Sequence, residues 1–207
     1  MTDIYLIRHA KSEANINRLY GTDAPLSDIG VKQAEDAAKK LNIMPDIVIS
    51  GTKIRQRTTA SILFPDIYQN VAVHVFDEIY FGDLENANIT DEINHGVIKD
   101  VLSIKTAYNG DDVWKRAERA VKYIKNIGYL QPGKIIAIIT SDTLMQTILT
   151  YLNHGKTNGI IWSGEYDIQN CSYWYLSVDN NKNITTIANQ ETVEQAMPEL
   201  SLFKTDI

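Results

Sequence analysis

The sequence is poor in cysteine: Cys171 is the single thiol among 207 residues. One thiol closes no intramolecular disulfide and builds no thiolate metal cluster, which excludes a cystine-stapled scaffold and fits a reducing, cytoplasmic setting. An excess of positive charge is missing as well. Lys and Arg number 20 against 26 Asp and Glu, for a formal net charge of -6 and a pI of about 5.2. A nucleic-acid partner, which requires a basic surface, is therefore not expected. A small anionic ligand stays open, because a few arginines in a cleft dominate the local field. No apolar run approaches the roughly 20 residues of a membrane span. The opening MTDIYLIRHA lacks the basic stretch and long apolar core of a secretory leader. Histidines number four and no HExxH-type spacing occurs, so neither a metal nor another cofactor is expected. With no repeat, low-complexity stretch or shift in composition, residues 1–207 read as a single domain. Oligomeric state is not legible.

What is present is the patterning of a layered protein. Residues 3–7 (DIYLI), 46–49 (DIVI) and 71–76 (VAVHVF) read as strands. KIIAIIT, 134–140, is apolar throughout, as a central parallel strand is. Val31, Ala34, Ala38 and Leu41 fall at helical spacing, and Lys53 to Leu63 reads as a helix ended before Pro65. Asp112 is placed to cap a helix presenting Val113, Ala117, Ala120, Val121 and Ile124 on one face. A further helix is expected over about 144–152. Strands at 172–178 and 184–188 are joined by the polar turn DNNKN. The stretch 83–109 is polar and without period, which suggests a small cap or lid at about 77–111. The acidic last 19 residues read as a surface tail. Alternating strands and helices predict an α/β class with a mostly parallel sheet.

The chemistry concentrates in short blocks. LIRHAKSEAN, residues 6–15, follows the first strand directly, and ligands of such sheets gather beyond the carboxyl ends of strands, where Arg8 and His9 fall. Ser12 and Asn15 follow, then GTDAPLSDIG at 21–30. VISGTKIRQRTTASI, 48–62, contains Arg55 ahead of Thr59 and Ala60. FDEIYFGDLEN, 76–86, contains Glu78. Gly110-Asp111 and IQNCSYWYL, 168–176, complete the series. In this order, from residue 4 to about 178, the blocks resemble the histidine phosphatase superfamily, in its phosphoglycerate-mutase-like branch.

The resemblance implies a three-layer α/β/α fold around a mostly parallel six-stranded sheet. It also implies that His9 is a nucleophile forming phosphohistidine, Glu78 the general acid, and Arg8, Arg55 and Asn15 the groups that bind phosphate. The residue types suit these roles. A neutral imidazole attacks phosphorus, guanidinium forks neutralise the equatorial oxygens, and a carboxyl near phosphate charge keeps its proton.

One departure matters. The family's second histidine lies within a Ser-His-Gly stretch, and here IITSDTLMQTIL, 138–149, puts Ser141 at that place, with Asp142 and Thr143 in place of glycines. Serine keeps a hydrogen bond to the ligand but not the charge, a loss of ~10²–10³ in rate, or about 3–4 kcal/mol. The leading reading is thus a metal-independent phosphomonoester hydrolase of reduced activity, acting on a phosphorylated small molecule or phosphoprotein. The alternative is a catalytically impaired pseudophosphatase that binds a phosphorylated ligand or protein. A phosphoglycerate mutase is least favoured, because Glu78-Ile79-Tyr80-Phe81-Gly82 lacks the Arg and His of the mutases' Glu-Arg-His-Tyr-Gly stretch. Of the other histidines, His74 is expected to pack within its strand, His95 to lie in the lid and His154 to be exposed.

Overall fold

Side-chain alternation along β1 (Thr2–Arg8) sets the layers. Ile4 and Leu6 enter one core, whereas Tyr5 and Ile7 enter the other. The same split recurs in β3 (Ile135–Thr140), with Ile136 and Ile138 on one face and Ala137 and Ile139 on the opposite face. A strand apolar throughout is stable only when both faces are covered, and helices cover both. The computed structural model describes residues 1–69, 71–88, 110–156 and 168–196.

In chain order the elements are β1, a single turn α1 (Glu13–Ile16), α2 (Asp28–Lys40), β2 (Ile47–Ser50), α3 (Ile54–Leu63), α4 (Val113–Leu130), β3, α5 (Asp142–His154), β4 (Tyr173–Val178), β5 (Ile184–Asn189) and α6 (Gln190–Ala196). The sheet runs β2-β3-β1-β4-β5. α4 and α5 pack together on one side, and α2 and α3 on the other. The face predicted for α4 is the buried one: Val113, Ala117, Ala120, Val121 and Ile124 are all in the core. Asp112 caps it, accepting from the amides of Trp114 and Lys115 at 3.1 and 3.0 Å.

Three expectations are corrected. The sheet has five strands among the described residues, not six, because 71–76 is not a strand. It makes one parallel bridge, Ala72 to Ser50, and then turns into a 3-10 helix, His74–Phe76. Thr52 and Arg116 draw Asp77 inward, so the chain leaves the edge and buries Phe76 against Tyr123. The sheet is also mixed. β1, β2 and β3 are parallel, while β4 runs antiparallel to both β1 and β5. An apolar run specifies burial but not direction, and β4 enters from the end where β1 stops. Finally, the acidic tail begins as α6, which buries Val193 beside Ile7 and Ala60. Most of the expected lid, 89–109, lies outside the described residues, and Gly82–Leu84 at its start forms a 3-10 turn.

Candidate active site

β1 and β3 end side by side, with Arg8 opposite Thr140. The His9 amide donates to the Thr140 carbonyl at 2.9 Å. His9 and Ser141 are therefore the first residues beyond two adjacent parallel strands, and both are buried. His9 Nδ1 lies 2.7 Å from the carbonyl oxygen of Ala10. A carbonyl only accepts, so Nδ1 holds the proton and Nε2 keeps its lone pair. That lone pair accepts from Arg55 Nε at 3.0 Å. Burial foremost, then the charges of Arg55 and Arg8, hold His9 well below the usual imidazole range, against the opposing pull of the Ala10 carbonyl.

The strand-end loop is clamped from several sides. Thr59 Oγ1 accepts from the Ala10 amide at 3.0 Å and donates to the Arg55 carbonyl at 2.7 Å, tying α3 to the residue after His9. The start of α2 closes on Lys11: Ser27 Oγ donates to the Lys11 carbonyl and accepts from the Gly30 amide. A Cβ at Gly30 would collide with that same carbonyl, so the position requires glycine. From the turn ahead of β4, Asn170 Nδ2 donates to the His9 carbonyl at 2.7 Å. Gln33 accepts from the Lys11 amide and donates to the Asn170 carbonyl.

Charged groups surround the exposed side of this loop. Arg55 also donates to the Thr22 carbonyl at 2.7 Å, and Asp23 caps the Ile54 amide. Arg8 donates to the Ile168 carbonyl at 2.5 Å, and its Nη2 lies 3.5 Å from Asp142. Its Nε is buried with no acceptor among the described residues. Glu78 is half-buried and accepts from the Ile79 amide at 2.9 Å. Burial raises its pKa, Asp142 adds to the rise, and Arg55 and Arg8 oppose it. The segment carrying Glu78 is pinned by buried Arg116, which donates to the carbonyls of His74 and Asp77 and pairs with Asp111 at 3.1 Å. Two guanidinium groups, one of them with an Nε lacking an acceptor among the described residues, a neutral imidazole and a protonatable carboxyl thus lie together at the strand ends.

The model of the histidine phosphatase superfamily, branch 1, matches residues 4–190. The chain belongs to that family. It is 23% identical to the adenosylcobalamin/alpha-ribazole phosphatase of Escherichia coli K12, over 89% of this chain and 93% of that protein. It is also 25% identical to 2,3-bisphosphoglycerate-dependent phosphoglycerate mutase 1 of Arabidopsis thaliana, over 72% of this chain and 57% of the relative. Among solved structures, Bacillus stearothermophilus YhfR superposes with a TM-score of 0.76 at 22% identity, covering 92% of this chain and 96% of that one. A phosphoserine phosphatase of Entamoeba histolytica in complex with 3-phosphoglyceric acid superposes with a TM-score of 0.73 at 20% identity, covering 91% and 97%. The family is thus that of the histidine phosphatases, and the relatives it is similar to include phosphatases and a mutase.

Of the residues singled out in the sequence, Arg8, His9, Arg55, Glu78 and Ser141 come together at the carboxyl ends of β1 and β3. Asn15 sits in the same loop, but its Oδ1 accepts from the amide and hydroxyl of Ser12 in a capping box at the start of α1. Ser141 Oγ accepts from Gln56 Nε2 at 2.9 Å. His74 does not pack in a strand. It is exposed and bonded to Asp77 at 2.8 Å. His154 is exposed at the end of α5, and His95 lies outside the described residues. Burial pushes the Cys171 thiol up to about 12, so it is no competing nucleophile. Sequence reading missed Gln56, Asn170 and Arg116. The first two stand inside the matched blocks, next to Arg55 and at the head of β4, and that adjacency was the available signal. Among the described residues no cluster of metal-binding side chains occurs, and no helix is long and apolar enough to cross a membrane.

The buried neutral state of His9 has a consequence for stability. Its folded pKa lies below the unfolded value, so below about pH 6.5 the unfolded chain binds a proton that the folded chain refuses. Stability contributed at neutral pH is therefore lost as pH falls through 6.5, with a slope of at most about 1.4 kcal/mol per pH unit. Glu78 acts oppositely: its raised pKa favours the folded state at low pH and disfavours it above the ordinary carboxyl range. Urea unfolding between about pH 7 and pH 5.5 is expected to show a steeper loss in the wild type than in His9→Ala. Equal slopes would mean that His9 takes up its proton as readily in the folded protein as in the unfolded chain.

Proposed function

We propose that this protein hydrolyses phosphomonoesters through a phosphohistidine at His9, at a rate lowered by the absence of a second histidine. The observation that carries this reading is the pair of contacts on the His9 ring. Nδ1–H is fixed on the Ala10 carbonyl while Nε2 is turned to Arg55 at 3.0 Å. The Nε2 lone pair attacks phosphorus and the P–O bond to the leaving group breaks. The leaving oxygen takes its proton from Glu78. Water then attacks the phosphohistidine, giving a proton to the Glu78 carboxylate as the P–N bond breaks, and phosphate leaves with His9 restored. Arg8 and Arg55 neutralise the equatorial oxygens throughout. The Asn15 side chain and the Ser141 hydroxyl supply neutral contacts.

The substrate is a phosphorylated small molecule or a phosphoprotein, handled without metal or other cofactor in the cytoplasm. The chain acts as one domain, with about 77–111 as a cap. Steady hydrolysis of an aryl phosphate, with acid-labile phosphate trapped on His9 by rapid quenching, tests the reading. Failure to turn over while still binding vanadate moves the protein to the alternative, a pseudophosphatase that holds a phosphorylated ligand. The Arg8–Asp142 pair is the observation that favours that alternative, since it offsets one binding charge. A mutase remains least favoured, as Ile79 and Tyr80 stand where the mutases' stretch has Arg and His.

The missing charge is recoverable. Ser141→His combined with Asp142→Gly restores an imidazole at the end of β3 and removes the carboxylate that would pair with it. Turnover of an aryl phosphate is expected to rise tenfold or more, which corresponds to about 1.4 kcal/mol of transition-state stabilisation. No gain in a folded variant that still binds vanadate would show that the site has diverged beyond these two positions.

A further inference from the structure

The charge count around the anion site differs from what a doubly charged phosphoryl group needs. Among the described residues, the charged and titratable groups acting at this point come from six segments. Arg8 and His9 come from β1 and its end, and Arg55 from α3. Asp142 opens α5, and Glu78 lies on the segment between α3 and α4. Asp23 caps α3 beside Arg55, and Cys171, ahead of β4, lies within reach of Arg8's charge. His9 and Cys171 are neutral. Two guanidinium charges less the Asp142 carboxylate leave one net positive charge, and Glu78 and Asp23 only subtract from it. A doubly charged ligand would leave at least one uncompensated negative charge in a partly buried space, which is strongly unfavourable. A singly charged ligand is balanced.

Asp142 also supplies a group that the singly charged form can use. Its Oδ1 accepts from Gln146 Nε2 at 3.0 Å and its Oδ2 faces Arg8 at 3.5 Å. Each carboxylate oxygen has two lone pairs, so acceptor capacity remains beside the phosphate-binding guanidinium. A fully ionised phosphoryl group offers only acceptors and is repelled there. A phosphoryl group with one protonated oxygen offers an O–H donor. Gln56 reinforces the arrangement: it donates to Ser141 Oγ, so the serine hydroxyl proton is directed away from Gln56 and toward other acceptors.

We propose that the site takes its phosphomonoester as the monoanion, with the protonated phosphoryl oxygen donating to Asp142 beside Arg8. This rests on the phosphatase reading only in taking the ligand to be a phosphoryl group. It makes Asp142 a specificity-determining residue for the ionic form of the substrate, and it puts the productive range near or below the second phosphate ionisation, about pH 6 for a phosphomonoester.

The test measures binding, so it is independent of turnover. Wild-type protein is titrated calorimetrically with inorganic phosphate and with sulfate at about pH 5.5 and about pH 8.5, a range over which phosphate passes from singly to doubly charged while sulfate stays doubly charged. Sulfate reports any change in the protein's own charge. Phosphate is expected to lose affinity tenfold or more beyond the loss seen for sulfate. Dimethyl phosphate, singly charged but without an O–H, is expected to bind more weakly than phosphate at the lower pH. In Asp142→Asn, sulfate and high-pH phosphate are expected to tighten tenfold or more. An equal pH response of phosphate and sulfate overturns the proposal. So does dimethyl phosphate binding as tightly as phosphate, unchanged sulfate affinity in folded Asp142→Asn, or no phosphate binding near pH 5.5. Should the variant not fold, the wild-type comparison of the three anions decides alone. A protein that shows this preference yet fails to hydrolyse esters sinks the hydrolase reading and leaves the ionic-form assignment standing.

Discussion

Replacing His9 with alanine is expected to remove phosphomonoester hydrolysis by at least ~10⁴-fold, the scale on which loss of a nucleophile abolishes two-step catalysis. The physical case is specific to this imidazole. Its Nδ1 proton is committed to the Ala10 carbonyl, so Nε2, which accepts from Arg55 Nε, is the nitrogen that carries the attacking lone pair. Burial foremost, with the charges of Arg55 and Arg8, keeps it unprotonated. No other buried nucleophile in the described site substitutes for it, since the Cys171 thiol stays protonated. The measurement is initial-rate hydrolysis of an aryl phosphate by purified wild type and His9→Ala, with circular dichroism to verify folding. Wild-type turnover in the variant would end the nucleophile assignment.

Loss of Arg55 is expected to be nearly as damaging. Arg55→Ala removes the donor on His9 Nε2, the contact with the Thr22 carbonyl and one of the two fixed positive charges. Removing one preorganised donor of this kind lowers rates by ~10²–10³. The loss is expected in kcat/KM together with a parallel weakening of vanadate inhibition, because the same guanidinium binds the ground state and the transition state. Arg55→Lys restores the charge but not the planar fork, so it is expected to recover anion affinity more than turnover. Full recovery by lysine would reduce the role of Arg55 to a point charge. A loss of turnover with unchanged vanadate affinity would make it a packing residue for the loop of Thr22.

Much of this site was legible in the sequence because its parts are local. Arg8-His9 follows an apolar strand, and Arg55 stands four residues ahead of Thr59. That spacing puts the Thr59 hydroxyl one helical turn from the Arg55 carbonyl, where it bonds. The Pro-Leu-Ser-x-x-Gly run contains the Ser27 cap and the glycine that lets α2 close on Lys11. Gln56, Asn170 and Arg116 were not legible as functional, since each acts on a backbone carbonyl or hydroxyl far away in sequence. Gln56 reaches Ser141 across 85 positions and Asn170 reaches His9 across 161. Hydrogen bonds of that kind leave no periodicity behind.

The sequence by itself determined the class of fold, the family, the order of the blocks and the absence of a histidine at 141. Hydrophobic period and local spacing are properties of neighbouring residues and survive in one dimension. The tertiary structure decided the rest. It set the reversed direction of β4, because an apolar run encodes burial and not polarity along the sheet. It turned 71–76 off the sheet edge, because Thr52 and Arg116 together hold Asp77 inward, one at its carboxylate and the other at its carbonyl. It brought the Asp142 carboxylate onto Arg8, because strands β1 and β3 end at the same level. The charge of the site is a sum over residues 8 to 142, and only the fold says which of them belong in that sum.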